Sequence, residues 1–315
     1  AKKGFAETKV SKLLKKQGNK DFYYSNGSEG IAQGAIDSGL DLYCSYPMTP
    51  ATPVLAELAQ RQEEKNFLVL ELENEIAVIM TAIGSAATGA KAMVGTSGGG
   101  FDLMTEAISM AGQAEIPIVI YLAQRPGPST GVATSTSQGD LNLARHSGHG
   151  EFSRLVLAPG CPNEASELTS QAFYFSQKFK IPTIILSDKH LAESFYTING
   201  KPKITPSKKS TKLIRYNSYE QDSEGSATEN SDIVEKNILE RMKKGMEIEK
   251  ESKKFSMYEV HGKKQSKNVV VSWGSTKGAI IDAIEDLDAK FVQIKYIEPF
   301  PKEVANELKG NIILV

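Results

Sequence analysis

Three carboxylates precede a stretch of small apolar residues in the first third of the chain. Glu71, Glu73 and Glu75 lead into a segment of alanine, isoleucine, valine, glycine and threonine. Acidic residues in the first turn of a helix are stabilised by the helix dipole, and this alone would explain their position. The alternative interpretation is catalytic, with one carboxyl entering a largely apolar site where it can exchange a proton.

A run of glycines between a predicted strand and a predicted helix permits two different chemistries. Residues 95–100 read Gly-Thr-Ser-Gly-Gly-Gly, and Gly95–Gly99 match the G-x-S-x-G turn of serine hydrolases, with Ser97 as nucleophile. An aspartate followed by a histidine, in the hydrolase order, occurs twice downstream, as Asp140 with His149 and Asp188 with His190. In the other interpretation, the glycines let a ligand or a partner chain approach the backbone at a helix N-terminus. Spacing alone does not choose between the two.

An arginine begins a rigid loop after a predicted buried strand. Residues 117–122 form a continuous apolar stretch, and residues 125–131 read Arg-Pro-Gly-Pro-Ser-Thr-Gly. Open parallel sheets bind ligands at the carboxyl ends of their strands, and a guanidinium pairs well with a carboxylate. Arg125 is therefore a candidate carboxylate receptor, with a surface arginine in a turn as the alternative.

Histidine and cysteine usage gives little support to a metal site. His146 and His149 lie three residues apart without a third ligand at an obvious spacing, which favours a loop or contact role. The chain has two cysteines, Cys44 and Cys161, whereas an iron–sulfur cluster needs about four thiolates. We therefore expect no metal site on this chain.

Charge and hydropathy exclude several classes of function. The chain has 37 basic and 38 acidic residues, and this balance argues against binding to nucleic acid or to an anionic membrane surface. Its apolar runs fall short of the roughly 20 residues that span a bilayer. The lysine-rich start lacks the apolar segment of a secretory signal, so we expect a reduced, cytoplasmic chain.

The order of predicted elements divides the chain into segments. Strands alternate with helices over residues 21–195, which predicts a doubly wound α/β domain with a parallel sheet. Residues 1–20 are expected to be a basic tether, and residues 196–265 a mobile insertion followed by a charged connecting helix. Residues 266–315 begin a second α/β domain and stop inside a predicted strand, so we expect a piece of a longer chain. The connecting helix places its apolar side chains on one side, namely Ile233, Ile238, Leu239, Met242 and Met246.

A series of motifs runs in one order from about residue 22 to residue 315. They are Gly27-x-x-Gly30-x-Ala32-x-Gly34-Ala35, Tyr46-Pro-Met-Thr-Pro50, Glu73-x-Glu75-Ile-Ala77, Gly95-Thr-Ser-Gly98-x-Gly100, Gln124-Arg-x-Gly-Pro-Ser-Thr-Gly131, Gln138-Gly-Asp140, His146-x-Gly-His-Gly-Glu-Phe152 and Trp273-Gly-Ser-Thr-Lys-Gly278. Together these motifs resemble the α subunits of 2-oxoacid:ferredoxin oxidoreductases, and the 2-oxoglutarate branch most of all. The basic tether is similar to the link that joins a γ domain to the α part in fused members.

This resemblance implies a thiamine diphosphate enzyme. Such an enzyme oxidatively decarboxylates a 2-oxoacid with coenzyme A to acyl-CoA and CO2, and passes the electrons to ferredoxin. The implied fold is a pyrimidine-binding α/β domain, followed by a domain resembling the C-terminal domain of transketolase. A β subunit would supply the half that binds the diphosphate and Mg²⁺, and the [4Fe-4S] cluster. A serine hydrolase and a non-catalytic partner subunit remain the alternatives.

The resemblance also implies roles for individual residues. Glu75 would be the catalytic carboxylate that protonates the aminopyrimidine ring, with Glu73 as the alternative. Spacing favours Glu75, because Gly84 and Gly89 follow it after nine and fourteen residues, as in thiamine enzymes. Substrate binding is implied for Thr49, Arg125 and Thr134, and cofactor contacts for Tyr46, Pro47, Glu75, Gly98 and Gly99. Ser135 stands where a basic residue is expected, so the substrate is less well defined than the reaction class.

Overall fold

The computed structural model describes residues 22–210 and 219–315. The predicted tether lies outside these residues, as does part of the predicted insertion. The elements follow the order β1 (Phe22–Asn26), α1 (Gly27–Asp37), β2 (Leu42–Ser45), α2 (Thr52–Lys65), β3 (Leu68–Glu71), α3 (Glu75–Ala87), β4 (Ala92–Thr96), α4 (Gly98–Gln113), β5 (Ile118–Gln124), α5 (Leu141–His146), β6 (Leu155–Leu157), α6 (Pro162–Phe179), β7 (Pro182–Asp188), α7 (Lys189–Glu193), β8 (Phe195–Asn199), α8 (Ser231–Ser252), β9 (Tyr258–Gly262), β10 (Asn268–Trp273), α9 (Lys277–Ile284), β11 (Lys290–Ile294), β12 (Tyr296–Glu298) and β13 (Asn311–Leu314).

The larger sheet of the described chain has the strand order β12-β6-β7-β5-β4-β2-β3. Strands β2 to β7 are parallel to their neighbours, and only β12 at the edge is antiparallel. All residues of the central strands β5 and β7 are buried, as expected for continuous apolar strands covered on both faces. The predicted doubly wound α/β fold with a parallel sheet is confirmed.

Helices cover the two faces of this sheet with separate apolar clusters. Val78 and Phe101 of α3 and α4 pack on one face, and Ile31, Leu58 and Phe173 of α1, α2 and α6 pack on the other. Burial of this apolar surface is the main favourable contribution to folding. Because the helices occupy both faces, the carboxyl edge of the sheet is left for a ligand.

The glycines of the first motif bring two helices together. A Cβ atom at Gly34 would lie 2.5 Å from the Ser166 carbonyl oxygen, and one at Gly30 would overlap the Pro162 carbonyl oxygen. The Ser166 hydroxyl donates to the Gly30 carbonyl at 2.8 Å. These glycines therefore allow α1 and α6 to pack backbone against backbone.

The second sheet, in the order β13-β10-β11-β9, is joined to the first by the chain itself. Strand β12 follows β11 after one residue and pairs with β6 of the first sheet, with Tyr296 opposite Leu157. Strand β9 precedes residue 266 and pairs with β11. The limits predicted for the domains stay predictions.

The connecting helix α8 turns its apolar stripe to solvent. Ile238, Leu239, Met242 and Met246 are exposed, and Met242 is 63% accessible. The opposite side carries Arg241 and Lys244, which form ion pairs with Glu220 in the segment before the helix and with Glu115 just after α4. Polar contacts therefore hold this part of the helix. Within the described ranges, no helix has the length and apolar character needed to cross a membrane.

Candidate functional site

The candidate site lies where adjacent parallel strands of the first sheet end. Strand β2 leads into Tyr46, Pro47 and Thr49, and the neighbouring β4 leads into the glycine turn. The next strand, β5, ends one residue before Arg125. Because parallel strands end at the same edge of a sheet, the topology gathers residues that are far apart in sequence.

Glu75 enters this edge at the start of α3. Its side chain is 4% exposed, and its Oε1 atom is buried without a hydrogen-bond partner among the described residues. A Cβ atom at Gly100 would lie 2.7 Å from that oxygen, so glycine is needed at this position of α4. A buried carboxyl oxygen without a donor is unfavourable by about 1–3 kcal/mol. The arrangement is suited to a ligand that supplies a hydrogen bond. Glu73, in contrast, is exposed.

The start of α4 is close to a second carboxyl group. A Cβ atom at Gly98 would lie 2.7 Å from Asp140 Oδ2, an oxygen that is also buried without a partner in the described chain. Burial, reinforced by the Asp102 carboxylate, raises the pKa of Asp140. Gly99 has more room, since the nearest atom to its built Cβ is the Ser129 carbonyl oxygen at 4.0 Å. The glycine turn therefore lies between two carboxyl groups and the arginine loop.

Two of the three predicted substrate-binding residues, Arg125 and Thr49, are hydrogen-bonded to each other. The Nη1 atom of Arg125 donates to the Thr49 carbonyl at 2.8 Å, and the arginine side chain is half-buried. Thr134 lies further along the same loop and is exposed, as are Tyr46 and Pro47. The remaining guanidinium N–H groups of Arg125 and the hydroxyls of the two threonines are available to a ligand.

The surroundings of Ser97 do not fit a nucleophile. Its side chain is fully buried, and its hydroxyl has no hydrogen-bond partner in the described residues. His190 Nδ1 is paired with the Ser194 hydroxyl at 3.1 Å, and the His149 carbonyl accepts from Ser109. An activated serine needs a base within hydrogen-bond reach. Neither predicted triad is therefore assembled.

We expect no labelling of Ser97 by a fluorophosphonate probe, because its hydroxyl is buried and has no base to activate it. Mass spectrometry of the treated full-length chain, with the Ser97→Ala variant as control, measures this. Stoichiometric modification at Ser97 would instead support the hydrolase interpretation.

Metal-binding chemistry is not apparent in the described ranges. No group of three or more histidine, cysteine, aspartate or glutamate side chains is placed there to hold an ion. Burial raises the pKa of Cys44 to about 12 and that of Cys161 to about 11, so both remain thiols at neutral pH. Because thiolates are the form that binds metals, these cysteines are poor ligands.

Sequence analysis missed the residues that hold the arginine loop. The sequence places Gln138 in a motif and Asp188 in a possible hydrolase triad, but neither pattern indicates a role in holding the loop. In the structure, Gln138 Nε2 donates to Asp188 Oδ2 at 3.1 Å. Gln124 is fully buried and accepts from the Asp140 backbone N–H at 2.9 Å. For Gln124 and Asp188 the available signal was a polar side chain at the end of an apolar strand, and for Gln138 it was its place in the Gln138-Gly-Asp140 motif.

A family model and curated relatives match the chain. The model described as "Pyruvate flavodoxin/ferredoxin oxidoreductase, thiamine diP-bdg" matches residues 33–267. The 2-oxoacid:ferredoxin oxidoreductase subunit alpha of Saccharolobus solfataricus is 36% identical over 331 residues, covering 90% of this chain and 52% of the relative. The 2-oxoglutarate synthase subunit KorA of Methanocaldococcus jannaschii is 30% identical, covering 93% of this chain and 87% of the relative. The chain thus spans about half the length of the Saccharolobus subunit.

Two solved structures share the fold of this chain. The 2-oxoglutarate:ferredoxin oxidoreductase from Magnetococcus marinus, with 2-oxoglutarate, coenzyme A and succinyl-CoA bound, has a TM-score of 0.85 and 27% identity. The match covers 99% of this chain and 62% of that chain. A split-gene transketolase, an inactive β4 tetramer, has a TM-score of 0.51 at 14% identity, with 92% of this chain and 78% of that chain covered, and shows the fold alone.

These matches confirm the resemblance found in the sequence motifs. They agree with the geometry of the sheet edge, where a buried glutamate and a glycine turn meet. The chain belongs to the pyruvate flavodoxin/ferredoxin oxidoreductase family, and residues 33–267 match its thiamine diphosphate-binding domain.

Proposed function

We propose that this chain is the α part of a thiamine diphosphate-dependent 2-oxoacid:ferredoxin oxidoreductase. The reaction is oxidative decarboxylation of a 2-oxoacid, 2-oxoglutarate or a related acid, with coenzyme A and with ferredoxin as the electron acceptor. The observation that carries the proposal is the buried Oε1 atom of Glu75, which lies against Gly100 and has no hydrogen-bond partner in the described part of the chain, at the sheet edge that also holds Arg125. The names of the relatives support the substrate class.

Glu75 is proposed as the catalytic carboxyl. When bound, thiamine diphosphate supplies the carbanion chemistry of decarboxylation. The Oε1 atom of Glu75, which has no partner within residues 22–210 and 219–315, fits a hydrogen bond to the pyrimidine ring, where this carboxyl would hold and move a proton. Tyr46, Pro47, Gly98 and Gly99 would contact the cofactor, because they border the same edge.

Arg125 is proposed as the receptor for the substrate carboxylate. One of its N–H groups is bound to the Thr49 carbonyl, which fixes the orientation of the guanidinium plane. The other N–H groups can bind a carboxylate in a bidentate manner. The hydroxyls of Thr49 and Thr134 would contact the keto group.

An exposed apolar stripe beside Glu75 is the proposed contact with the β subunit. Ile76 and Met80 of α3 are exposed and are followed at the same helical spacing by Gly84, whose built Cβ has no atom within 4 Å. Leu103 of the neighbouring α4 is also exposed. A partner docked here would close the site, and we assign to it the diphosphate half, Mg²⁺ and the [4Fe-4S] cluster. A γ domain or subunit, and ferredoxin, are the further partners that we propose.

We expect Met80→Glu to weaken assembly with the β subunit by at least about tenfold, because it buries an unpaired charge in an apolar contact. The stability of the isolated chain should change little, since Met80 is 42% exposed. Co-purification and sedimentation measure the assembly. Leu287→Glu is the matched control, because Leu287 is also an exposed apolar residue but lies outside α3. Equal assembly of the Met80 and Leu287 variants would contradict the proposed interface.

The proposed function is tested by combining the full-length chain with its β subunit. We expect reduction of a dye that requires a 2-oxoacid, coenzyme A and thiamine diphosphate together. Turnover without thiamine diphosphate, or a failure of every 2-oxoacid tried, would contradict the proposal. Ester hydrolysis by the chain alone would support the hydrolase alternative, and an assembled but inactive complex would support a non-catalytic subunit.

A further inference from the structure

The end of the arginine loop is tied to both sheets through one side chain. Gln138 Nε2 donates to Asp188 Oδ2 at 3.1 Å and to the Trp273 carbonyl at 3.3 Å. Asp188 ends β7 of the first sheet, and Trp273 ends β10 of the second. A single amide therefore bridges the loop to the two sheets.

The buried side chain of Asp188 is stabilised by several hydrogen-bond donors. Its side chain is 1% exposed, and besides Gln138 it accepts from the Leu191 backbone N–H at 3.0 Å and the Thr136 hydroxyl at 3.4 Å. Thr136 in turn accepts from the His190 backbone N–H at 3.2 Å. Hydrogen bonds to a buried carboxylate are stronger than those between neutral groups. Residues 136 and 138 are thus held at a fixed point of the first sheet.

A glycine directly after β10 leaves room for the Gln138 amide. Gly274 has a φ of +70°, and a Cβ atom there would lie 2.6 Å from Gln138 Nε2. Because any other residue would crowd the amide and strain the backbone, glycine at this turn preserves the bridge. The position of the loop therefore depends on the position of the second sheet.

A separate set of contacts already joins the two units. Glu164 of α6 forms an ion pair with Lys277, and its Oε2 accepts from Gln293 Nε2 at 2.7 Å. Glu164 also accepts from the Gly160 backbone N–H at 2.7 Å. These contacts hold the units together without Gln138. Loss of the Gln138 amide would therefore remove the bond between the loop and the second sheet and leave the units docked.

We propose that Gln138 is a positioning residue for substrate binding, through which the second sheet holds the loop that carries Arg125 and Thr134. The two ends of this loop are joined where the Asp140 backbone N–H donates to Gln124 Oε1 at 2.9 Å, and Gln124 is the last residue of β5. Because both ends are anchored, the loop presents Arg125 and Thr134 in a defined geometry. The expected effect of Gln138 on substrate binding rests on the proposed function, whereas its role in holding the loop does not.

The test uses Gln138→Met in the full-length chain assembled with its β subunit, because methionine keeps the side-chain length and removes the amide. We expect the KM for the 2-oxoacid to rise about tenfold, the size expected for lost hydrogen bonds of this kind, with kcat changed less than about threefold. Amide hydrogen exchange should accelerate in residues 126–137 and not elsewhere. Gln265→Met, at an exposed glutamine, is the matched control and should change neither.

A second variant separates positioning from general loosening between the units. Lys277→Met breaks the ion pair with Glu164, and we expect it to lower the Tm without changing the KM or the exchange of residues 126–137. An unchanged KM and unchanged exchange in Gln138→Met would overturn the proposal, as would equal effects of the two variants. If the wild-type complex turns over no 2-oxoacid, the proposed function fails, and hydrogen exchange still decides the role of Gln138.

Discussion

The Glu75→Gln variant is expected to lose about 10²- to 10⁴-fold in kcat, the usual effect of removing an acid–base group. Glutamine keeps the shape and can still form a hydrogen bond, but it cannot exchange the proton. Affinity for thiamine diphosphate should therefore fall much less than turnover. Steady-state kinetics of the assembled enzyme and a cofactor titration measure the two quantities separately.

Glu73→Gln is the matched control for this variant. Glu73 lies two residues earlier in the chain and is exposed. Glu75 is 4% exposed and packs so closely on Gly100 that a Cβ atom there would lie 2.7 Å from its Oε1 atom. We expect Glu73→Gln to retain nearly full turnover. The opposite pattern, with Glu73→Gln inactive and Glu75→Gln active, would move the catalytic role to Glu73 and invalidate the argument from glycine spacing.

Features set by local sequence were predictable from the residues. The apolar stretches at 117–122 and 182–186 predict buried parallel strands, and β5 and β7 occupy Ile118–Gln124 and Pro182–Asp188. Continuous apolar character identifies a strand covered on both faces without knowledge of its neighbours. Arg125, which follows the first of these strands, was therefore expected at the carboxyl edge of the sheet.

Features that depend on distant contacts were not predictable. The apolar periodicity of residues 233–254 indicates which side chains share a side of the helix, but not which side faces the protein. Arg241 forms an ion pair with Glu220, in the segment before the helix, and Lys244 forms one with Glu115 after α4, while Met242 on the opposite side is exposed. Neither acidic partner could be identified from the helix itself.

The glycine turn illustrates why a short motif leaves chemistry open. Gly95–Gly99 satisfies the hydrolase pattern, yet the fold buries the Ser97 hydroxyl without a base. The same turn brings Gly100 against Glu75, and only the packing of α3 beside α4 reveals this contact. The chemistry of this site therefore depends on which side chains lie together at the carboxyl edge of the sheet, and the motif alone does not determine it.

Arg125→Ala is expected to raise the KM for the 2-oxoacid steeply, with a smaller effect on kcat. Removing one partner of a desolvated, hydrogen-bonded charge pair costs about 2–5 kcal/mol, which corresponds to about 30- to several thousand-fold. Arg125 is half-buried, and its Nη1 is bound to the Thr49 carbonyl, so its orientation is set before substrate arrives. Arg125→Lys keeps the charge and loses the bidentate geometry, and its KM should lie between those of the wild type and the alanine variant.

Arg61→Ala provides the matched control. Arg61 lies on α2, where it pairs with Glu57 of the same helix at 3.0 Å, and we expect its removal to leave the KM unchanged. The assembled full-length enzyme is assayed with the 2-oxoacid varied at saturating coenzyme A and thiamine diphosphate. A KM for Arg125→Ala equal to that of Arg61→Ala would remove Arg125 from the substrate site. The carboxylate receptor would then have to be a group outside this loop, because Ser135 supplies no charge to it.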